Sequence, residues 1–491
     1  MNFGQISDLS KRIVSRADKM STRKLALALL ATTIIVGVPL LSVWQVAVAA
    51  GEEVRAVENP RSLATPPVTP LFSARRTPET LADLTSAGKV RARLNPVVGA
   101  LPVDSCLSIS ADSKTIIDLN ATTPLIPGSN QKLLTAAVAL DVLGPDRKFT
   151  TKIQGIVAGD VVRGDLWLVG SGDPLLTTRA YLLTERYPNL TPSNVEDLVN
   201  ALVAMGVRSV EGGVIGDESI FDFERYVPSW GDGIRSVEAG PLGALMINDG
   251  AVSGTPLKPA NPAYAAALEF TKLLAARGVA VRDAPDSGVA SADTPVIASL
   301  ESVPMNQIVT EMLTNSDNNT AELLVKEIGR VGKGSATRVD GLTVIAEKIA
   351  EWGLPGEGVA LIDGSGLDRS NRLTCNLLRQ LLQRDGRKGL MTNAMALAGR
   401  TGTLDDVFLS GPGSGTMLAK TGTLNGVKAL SGMFPLADDR SSVFSLIMNG
   451  PGSSTLNFYR PIWNNLMIAL AAGDERIEPS KLLPLTQDAA P

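Results

Sequence analysis

The chain has 491 residues, 44% of them hydrophobic and 4% aromatic, with 46 basic against 50 acidic side chains and a formal net charge of −4. This length holds about two to three domains with sizeable cores, while the balanced charge and sparse aromatics exclude polyanion binding or base stacking as the main business, so no nucleic-acid partner is expected. Histidine is absent, which rules out a Ser-His-Asp triad: a serine nucleophile here needs another base.

Lys11, Arg12, Arg16, Lys19, Arg23 and Lys24 precede a mostly apolar run from Leu25 to Ala50 that ends in Ala47-Val48-Ala49-Ala50. A basic flank, an apolar segment and a small-residue end mark residues 1–50 as a targeting segment. The run exceeds an ordinary signal core and is long enough to span a bilayer, so a cleaved signal peptide and a retained anchor both fit; Pro39 and Gln45 favour cleavage. A buried core helix fits the basic flank poorly. In either case the basic side stays in the cytoplasm and the remainder is exported to a periplasmic or other extracytoplasmic space, touching the membrane only through this segment. Residues 51–76, with Pro60, Pro66, Pro67 and Pro70, form a Pro-rich linker.

A helix is expected to begin at Thr77-Pro78-Glu79, with Thr77 as N-cap and proline in the first turn. A hairpin follows, residues 105–109 and 115–119 around Asp112-Ser113. After Pro127-Gly128 a helix is predicted over residues 129–143, ended by Gly144-Pro145. Residues 151–298 change in texture: short β-like stretches such as 161–169 alternate with the turns Gly172-Asp173-Pro174, Gly212-Gly213 and Gly216-Asp217, which predicts an inserted β-rich domain. Helices are predicted at 305–313 and 320–328, strands at 427–434 and 443–448, a helix at 456–472, and a flexible tail at 474–491. The fold class that follows is α+β: an antiparallel sheet flanked by helices, built from 77–150 and 299–473 and interrupted by the insertion.

Cys106 and Cys375 permit one disulfide in an exported protein, and two buried thiols fit as well. Two cysteines without histidine make no zinc site, and neither a metal nor a cofactor is called for.

Three short motifs carry the chemistry. In Ser129-Asn130-Gln131-Lys132 the serine and lysine share one helix face, beside unpaired backbone N–H groups and the positive end of the helix. Lysine acts as a base only when neutral, so burial or a neighbouring cation must lower its pKa, and Lys420 is the candidate neighbour. The spacing alone is weak, because Ser21-Thr22-Arg23-Lys24 repeats it in the targeting segment, and an N-cap serine with a solvated lysine is the plain alternative. Ser316-Asp317-Asn318 falls in an interhelical loop. There Ser316 could relay a proton to a leaving amine, and Asn318 could hold a substrate amide or the lysine; an ordinary polar turn is the alternative. Lys420-Thr421-Gly422-Thr423 opens a strand whose edge can pair with an extended peptide. Gly422 gives room for the substrate backbone, while Thr421 and Thr423 suit a terminal carboxylate, with Lys420 adding charge. The backbone N–H groups of Ser129 and Thr423 would make an oxyanion hole, worth about 3–4 kcal/mol per donor. Arg400-Thr401-Gly402-Thr403-Leu404 is a rival, less suited because arginine does not exchange its proton.

In this order the motifs resemble those of serine enzymes that acylate on penicillin and on D-Ala-D-Ala peptides. Together with Pro127-Gly128 and Leu133 around the first motif, Gly170-Ser171-Gly172-Asp173-Pro174-Leu175, Asn319, Asp363-Gly364-Ser365-Gly366-Leu367, and Ala419 and Leu424 around the third, they make the chain similar to the low-molecular-weight class C penicillin-binding proteins. This is the D-alanyl-D-alanine carboxypeptidase/endopeptidase family, and the resemblance covers residues 78–473. It implies a β-lactamase/transpeptidase-like domain with an acyl-enzyme on Ser129. The implied partners are peptidoglycan stem peptides ending in D-Ala-D-Ala, and β-lactams as covalent inhibitors; some relatives also cut cross-links. The 184-residue step from Lys132 to Ser316 implies that the family's inserted domain is present and its nested one reduced or missing. Asp363-Gly364-Ser365-Gly366 resembles a family loop near the active site, or is a glycine-rich turn. No glutamate stands in the context that class A β-lactamases use for deacylation, so fast penicillin hydrolysis is not expected. A β-lactamase- or esterase-like hydrolase using the same residues, and a low-turnover penicillin-binding wall protein, are the competing readings; carboxypeptidase against endopeptidase preference and oligomeric state stay open.

Overall fold

The computed structural model describes residues 73–484, besides the isolated positions 27, 31 and 45. The expected targeting segment and nearly all of the linker therefore lie outside the described residues, and among those described no helix is long and apolar enough to cross a membrane. Helix α1 (Pro78–Arg93) starts at the expected proline, but Thr77 does not cap it by its side chain: the hydroxyl donates to Ala74 O at 3.1 Å. Strands β1 (Ser105–Ala111) and β2 (Lys114–Leu119) turn at Asp112 and Ser113, with φ of 46° and 71°, the left-handed pair that a tight two-residue hairpin demands. Helix α2 (Lys132–Val142) follows a 3-10 turn, Gly128–Gln131.

The chain then builds a second sheet. Strands β3 (Thr150–Ala158) and β4 (Val161–Val169), helix α3 (Glu196–Ala204), strand β5 (Val214–Asp217), helix α4 (Pro262–Ala276) and strand β6 (Val296–Glu301) follow in order. β3 pairs antiparallel with β4 and β6, while β4 pairs parallel with β5. Ile153, Val162, Leu166, Leu168, Leu198 and Phe270 give this part its own core. The return path is α5 (Met305–Asn315), α6 (Asn318–Lys333), α7 (Arg338–Glu351), α8 (Cys375–Asp385), β7 (Ala396–Leu397), β8 (Leu418–Leu424), β9 (Val427–Pro435), β10 (Ser441–Asn449) and α9 (Leu456–Ala471).

The first sheet has the strand order β7-β8-β9-β10-β1-β2 and is antiparallel throughout. The hairpin made before the insertion thus completes the sheet made after it, with Ser105 opposite Met448 and Ala111 opposite Ser442. Side chains alternate between two cores. Ala429 and Ile447 point into one with Leu133, Leu134, Ile308, Leu324 and Leu378; Leu107, Ile109, Leu430, Phe444 and Leu446 point into the other with Tyr459 and Trp463. Helices cover both faces, which is why β9 and β10 are buried along almost their whole length. The architecture is α+β.

Cys106 on β1 and Cys375 at the start of α8 form a disulfide with a Cα–Cα distance of 5.9 Å, so of the two readings left open for the cysteines the bridge is realised. The flexible tail expected from residue 474 needs correction in its first half. Arg476 pairs with Asp83 at 2.9 Å and with Glu79, both on α1, and Lys89 donates to Glu475 O at 2.6 Å. Asp474 accepts from Ala437 N at 2.7 Å, and Leu482 is buried. Polar residues that read as solvent-facing are instead complementary to the charges of α1. Residues 485–491 lie outside the described residues.

Candidate active site

Ser129 stands in the 3-10 turn ahead of α2, so the expected continuous helix begins as a tighter coil. Gly128 has φ +52°, and a Cβ on it would meet Thr423 N at 3.0 Å; the turn is pressed against β8. Gly422 meets it from the other side, where a Cβ would lie 2.5 Å from Pro127 O and 3.2 Å from Ser129 N. A side chain at Gly422 is thus already excluded by the chain's own Pro127–Ser129 turn.

Lys132 is fully buried. Its Nζ donates to Ser129 Oγ at 3.0 Å, Asn318 Oδ1 at 2.7 Å and Ser365 O at 2.8 Å. Three acceptors use all three protons of an ammonium; when one proton leaves, a lone pair faces the serine. Burial lowers the Lys132 pKa to about 8, against the pull of Asp317, Asp363, Glu322 and Glu238.

Ser316 joins α5 to α6 with φ 66°, a left-handed conformation that is costly for a residue with a side chain. Asp317 holds the turn by accepting from Thr320 N. Ser316 Oγ accepts from Lys420 Nζ at 2.8 Å, and Lys420 also donates to Thr421 O at 2.9 Å. Lys420 is fully buried, and its pKa lies well below the ordinary lysine value through burial first, then through the nearby Lys132 and Lys428. Asn318, which accepts from Lys132, donates its Nδ2 to Glu238 O at 3.0 Å in the inserted segment.

Strand β8 offers an open edge. β7 pairs only with Leu418 and Ala419, leaving residues 420–424 unpaired on that side. Leu424 and Val427 close the β8–β9 hairpin, so by alternation the N–H groups of Thr421 and Thr423 point away from β9. The N–H of Thr423 therefore shares the outer side of the strand with the Ser129 turn. Thr421 Oγ1 donates to Thr403 Oγ1 at 3.0 Å. The rival Arg400–Leu404 stretch is a 3-10 turn at Gly402–Leu404 rather than a strand, and it contributes Thr403 to the same edge.

Glu322 and Trp230 escaped sequence reasoning, whereas Asp363 lies in the glycine-rich loop singled out there. Glu322, buried on α6 one turn after Asn318, accepts from Ser365 N at 2.8 Å and Gly364 N at 3.0 Å. Asp363 accepts from Gly366 N at 2.8 Å, Asn371 Nδ2 at 2.7 Å and Trp230 Nε1 at 3.0 Å. Together these two carboxyls, both pushed up by burial, hold the loop whose Ser365 carbonyl receives Lys132. The loop resembling a family element thus braces the site from behind. A glutamate within the buried stretch Ala321-Glu322-Leu323-Leu324-Val325 was the signal available for it. Of the stretch from 170 to 175, Asp173 is buried and accepts from Leu175 N at 3.0 Å; it shapes the insertion rather than this site. No cluster of potential metal ligands occurs among the described residues.

The chain matches the D-Ala-D-Ala carboxypeptidase 3 (S13) family over residues 105–262 and 254–460. It is 29% identical over 412 residues to a D-alanyl-D-alanine carboxypeptidase of Actinomadura, covering 66% of this chain and 73% of that one. It is 26% identical over 442 residues to carboxypeptidase DacB of Mycolicibacterium smegmatis, covering 86% and 94%. Penicillin-binding protein 4 of Haemophilus influenzae has the same fold, with a TM-score of 0.62 at 20% identity over 76% of this chain and 99% of that one. Since the match runs through all three motifs and both sheets, the chain belongs to the D-Ala-D-Ala carboxypeptidase 3 (S13) family.

Proposed function

We propose that the chain is a serine D,D-carboxypeptidase of peptidoglycan stem peptides, with Ser129 as nucleophile and Lys132 as its base. The observation that carries this reading is the 3.0 Å contact between Lys132 Nζ and Ser129 Oγ, made by a fully buried lysine of lowered pKa. Neutral Lys132 takes the hydroxyl proton as Ser129 Oγ attacks the carbonyl carbon of the penultimate D-Ala. The oxyanion lies between the N–H groups of Ser129 and Thr423. The proton reaches the leaving amine through Ser316, which Lys420 orients, and the C–N bond breaks to release D-Ala. Water then hydrolyses the Ser129 ester, with the proton transfers running in reverse. Thr421 and Thr423 receive the substrate's terminal carboxylate, and Asn318 keeps Lys132 in place. A β-lactam enters the same path at its amide bond and leaves an acyl group on Ser129. Such peptides lie outside the cytoplasm, so export led by residues 1–50 is part of this reading.

A fluorescent penicillin should label the protein once, on Ser129 by mass spectrometry, and the Ser129→Ala variant should stay unlabelled. Label on another residue, or undiminished label in the variant, would remove Ser129 as nucleophile.

The pH dependence has a definite sign. The base works when neutral, and burial lowers Lys132 to about 8, so acylation should rise about ten-fold per pH unit below that value and level off above it. Burial, rather than the expected Lys420, is what lowers Lys132, while Lys132 in turn helps to lower Lys420. A rate that stays flat from pH 6 to 10 would exclude lysine as the base.

A further inference from the structure

One buried amine has no part in the steps above. Lys428 stands on β9 directly opposite Thr423 and is 8% exposed. Its Nζ lies 4.0 Å from the ring centre of Tyr459 and 5.0 Å from that of Trp463, both on α9, and donates to Thr423 Oγ1 at 2.8 Å. Two aromatic faces replace part of an ammonium's lost hydration. Yet no carboxylate pairs with it among the described residues, and the nearby Asp406 is held by Arg460 at 2.9 Å. Lys326 shows how this protein treats a structural buried lysine: it pairs with Asp222 and donates to Glu224 O at 2.8 Å. An ammonium taken out of water without a counter-charge is costly. Burial, then Arg460, lowers the Lys428 pKa to about 8, which leaves it mostly charged at neutral pH. Thr423, in contrast, is exposed at the open edge of β8. Because its oxygen accepts from Lys428, its own hydroxyl proton is free to point outward.

We propose that Lys428 is a positioning residue for the substrate's terminal carboxylate: it orients the Thr423 hydroxyl as a donor and places a positive charge behind it, and the carboxylate of the departing D-Ala is the missing counter-charge. This rests on the reading of Thr421 and Thr423 as the carboxylate site. It predicts a specificity for acids over amides that depends on a side chain that does not itself touch the substrate.

The test compares diacetyl-lysyl-D-Ala-D-Ala with the same peptide carrying a C-terminal amide, measuring kcat/KM for release of the last residue by the full chain. The wild type should favour the acid. Lys428→Met, which keeps the packing on the rings, should cut that preference about ten-fold, on the scale of one charge-assisted hydrogen bond, mainly by raising KM for the acid. The amide peptide should react as before. Lys428→Gln, which keeps a donor to Thr423 without the charge, should lose part of the preference. A preference in Lys428→Met equal to the wild type's, or equal losses on both peptides, would overturn the proposal. If the methionine variant does not fold, the glutamine variant decides, and an unchanged preference there overturns it. A wild type that does not distinguish the two peptides would instead overturn the carboxylate site itself.

Discussion

Replacing Lys132 by methionine should slow acylation by penicillin about a thousand-fold, within the range for loss of a general base. Methionine fills most of the same volume, so the change isolates chemistry from packing. It leaves Asn318 Oδ1 and Ser365 O without their shared donor, each costing about 1–3 kcal/mol if unsatisfied. It also removes an ammonium from a fully buried position, which offsets part of that loss. The melting temperature should therefore move far less than the rate. Stopped-flow acylation beside a thermal melt checks both, and a variant that acylates within ten-fold of the wild type would show that the proton goes elsewhere.

The second large effect concerns stability. Cys106 and Cys375 are separated by 269 positions, and their bridge ties the hairpin made before the insertion to the helices made after it. A cross-link closing so long a loop restricts the unfolded chain strongly, and losing it should cost about 4 kcal/mol. In a compact unit spanning Ala74–Leu483 that corresponds to about five degrees in Tm. The double variant Cys106→Ala, Cys375→Ala, melted beside the oxidised protein, measures this. Neither cysteine is among the hydrogen-bond partners of the Lys132 ammonium, so the folded variant should still take up penicillin at 25 °C. A Tm unchanged by removal of the bridge would show that the restriction is already present in the unfolded chain.

What could be read from residues alone was set by local physics. The Asp112-Ser113 turn, the proline opening α1 and the largely apolar stretches of β9 and β10 each carry their reason within a few residues. The three motifs were legible because each needs a fixed chemical type at a fixed spacing. The contacts that assemble them were not. Nothing near Glu322 says that it will hold the backbone of Gly364 and Ser365, and nothing near Trp230 says that its indole will brace Asp363 from within the insertion. Thr403 belongs to a stretch that in sequence only rivals the Lys420 motif, whereas the fold brings it to Thr421 on the same edge. Arg476 reads as part of a tail because pairing with Asp83 is invisible until α1 lies beside it. A buried partner chosen across hundreds of residues is a property of the fold and leaves no periodic trace.

The strand order has a consequence for how the molecule comes into being. β1 lies between β2 and β10, and Ala111 has to wait for Ser442. A chain synthesised from its N-terminus at about 5–20 residues per second keeps that edge open for some tens of seconds. In that interval the second sheet, whose strands all lie between residues 150 and 301, has everything it needs to fold. Until β10 exists, the hairpin and helix that carry Ser129 lack the neighbour strand they pack on. Activity should arrive all at once, when the last strand is delivered.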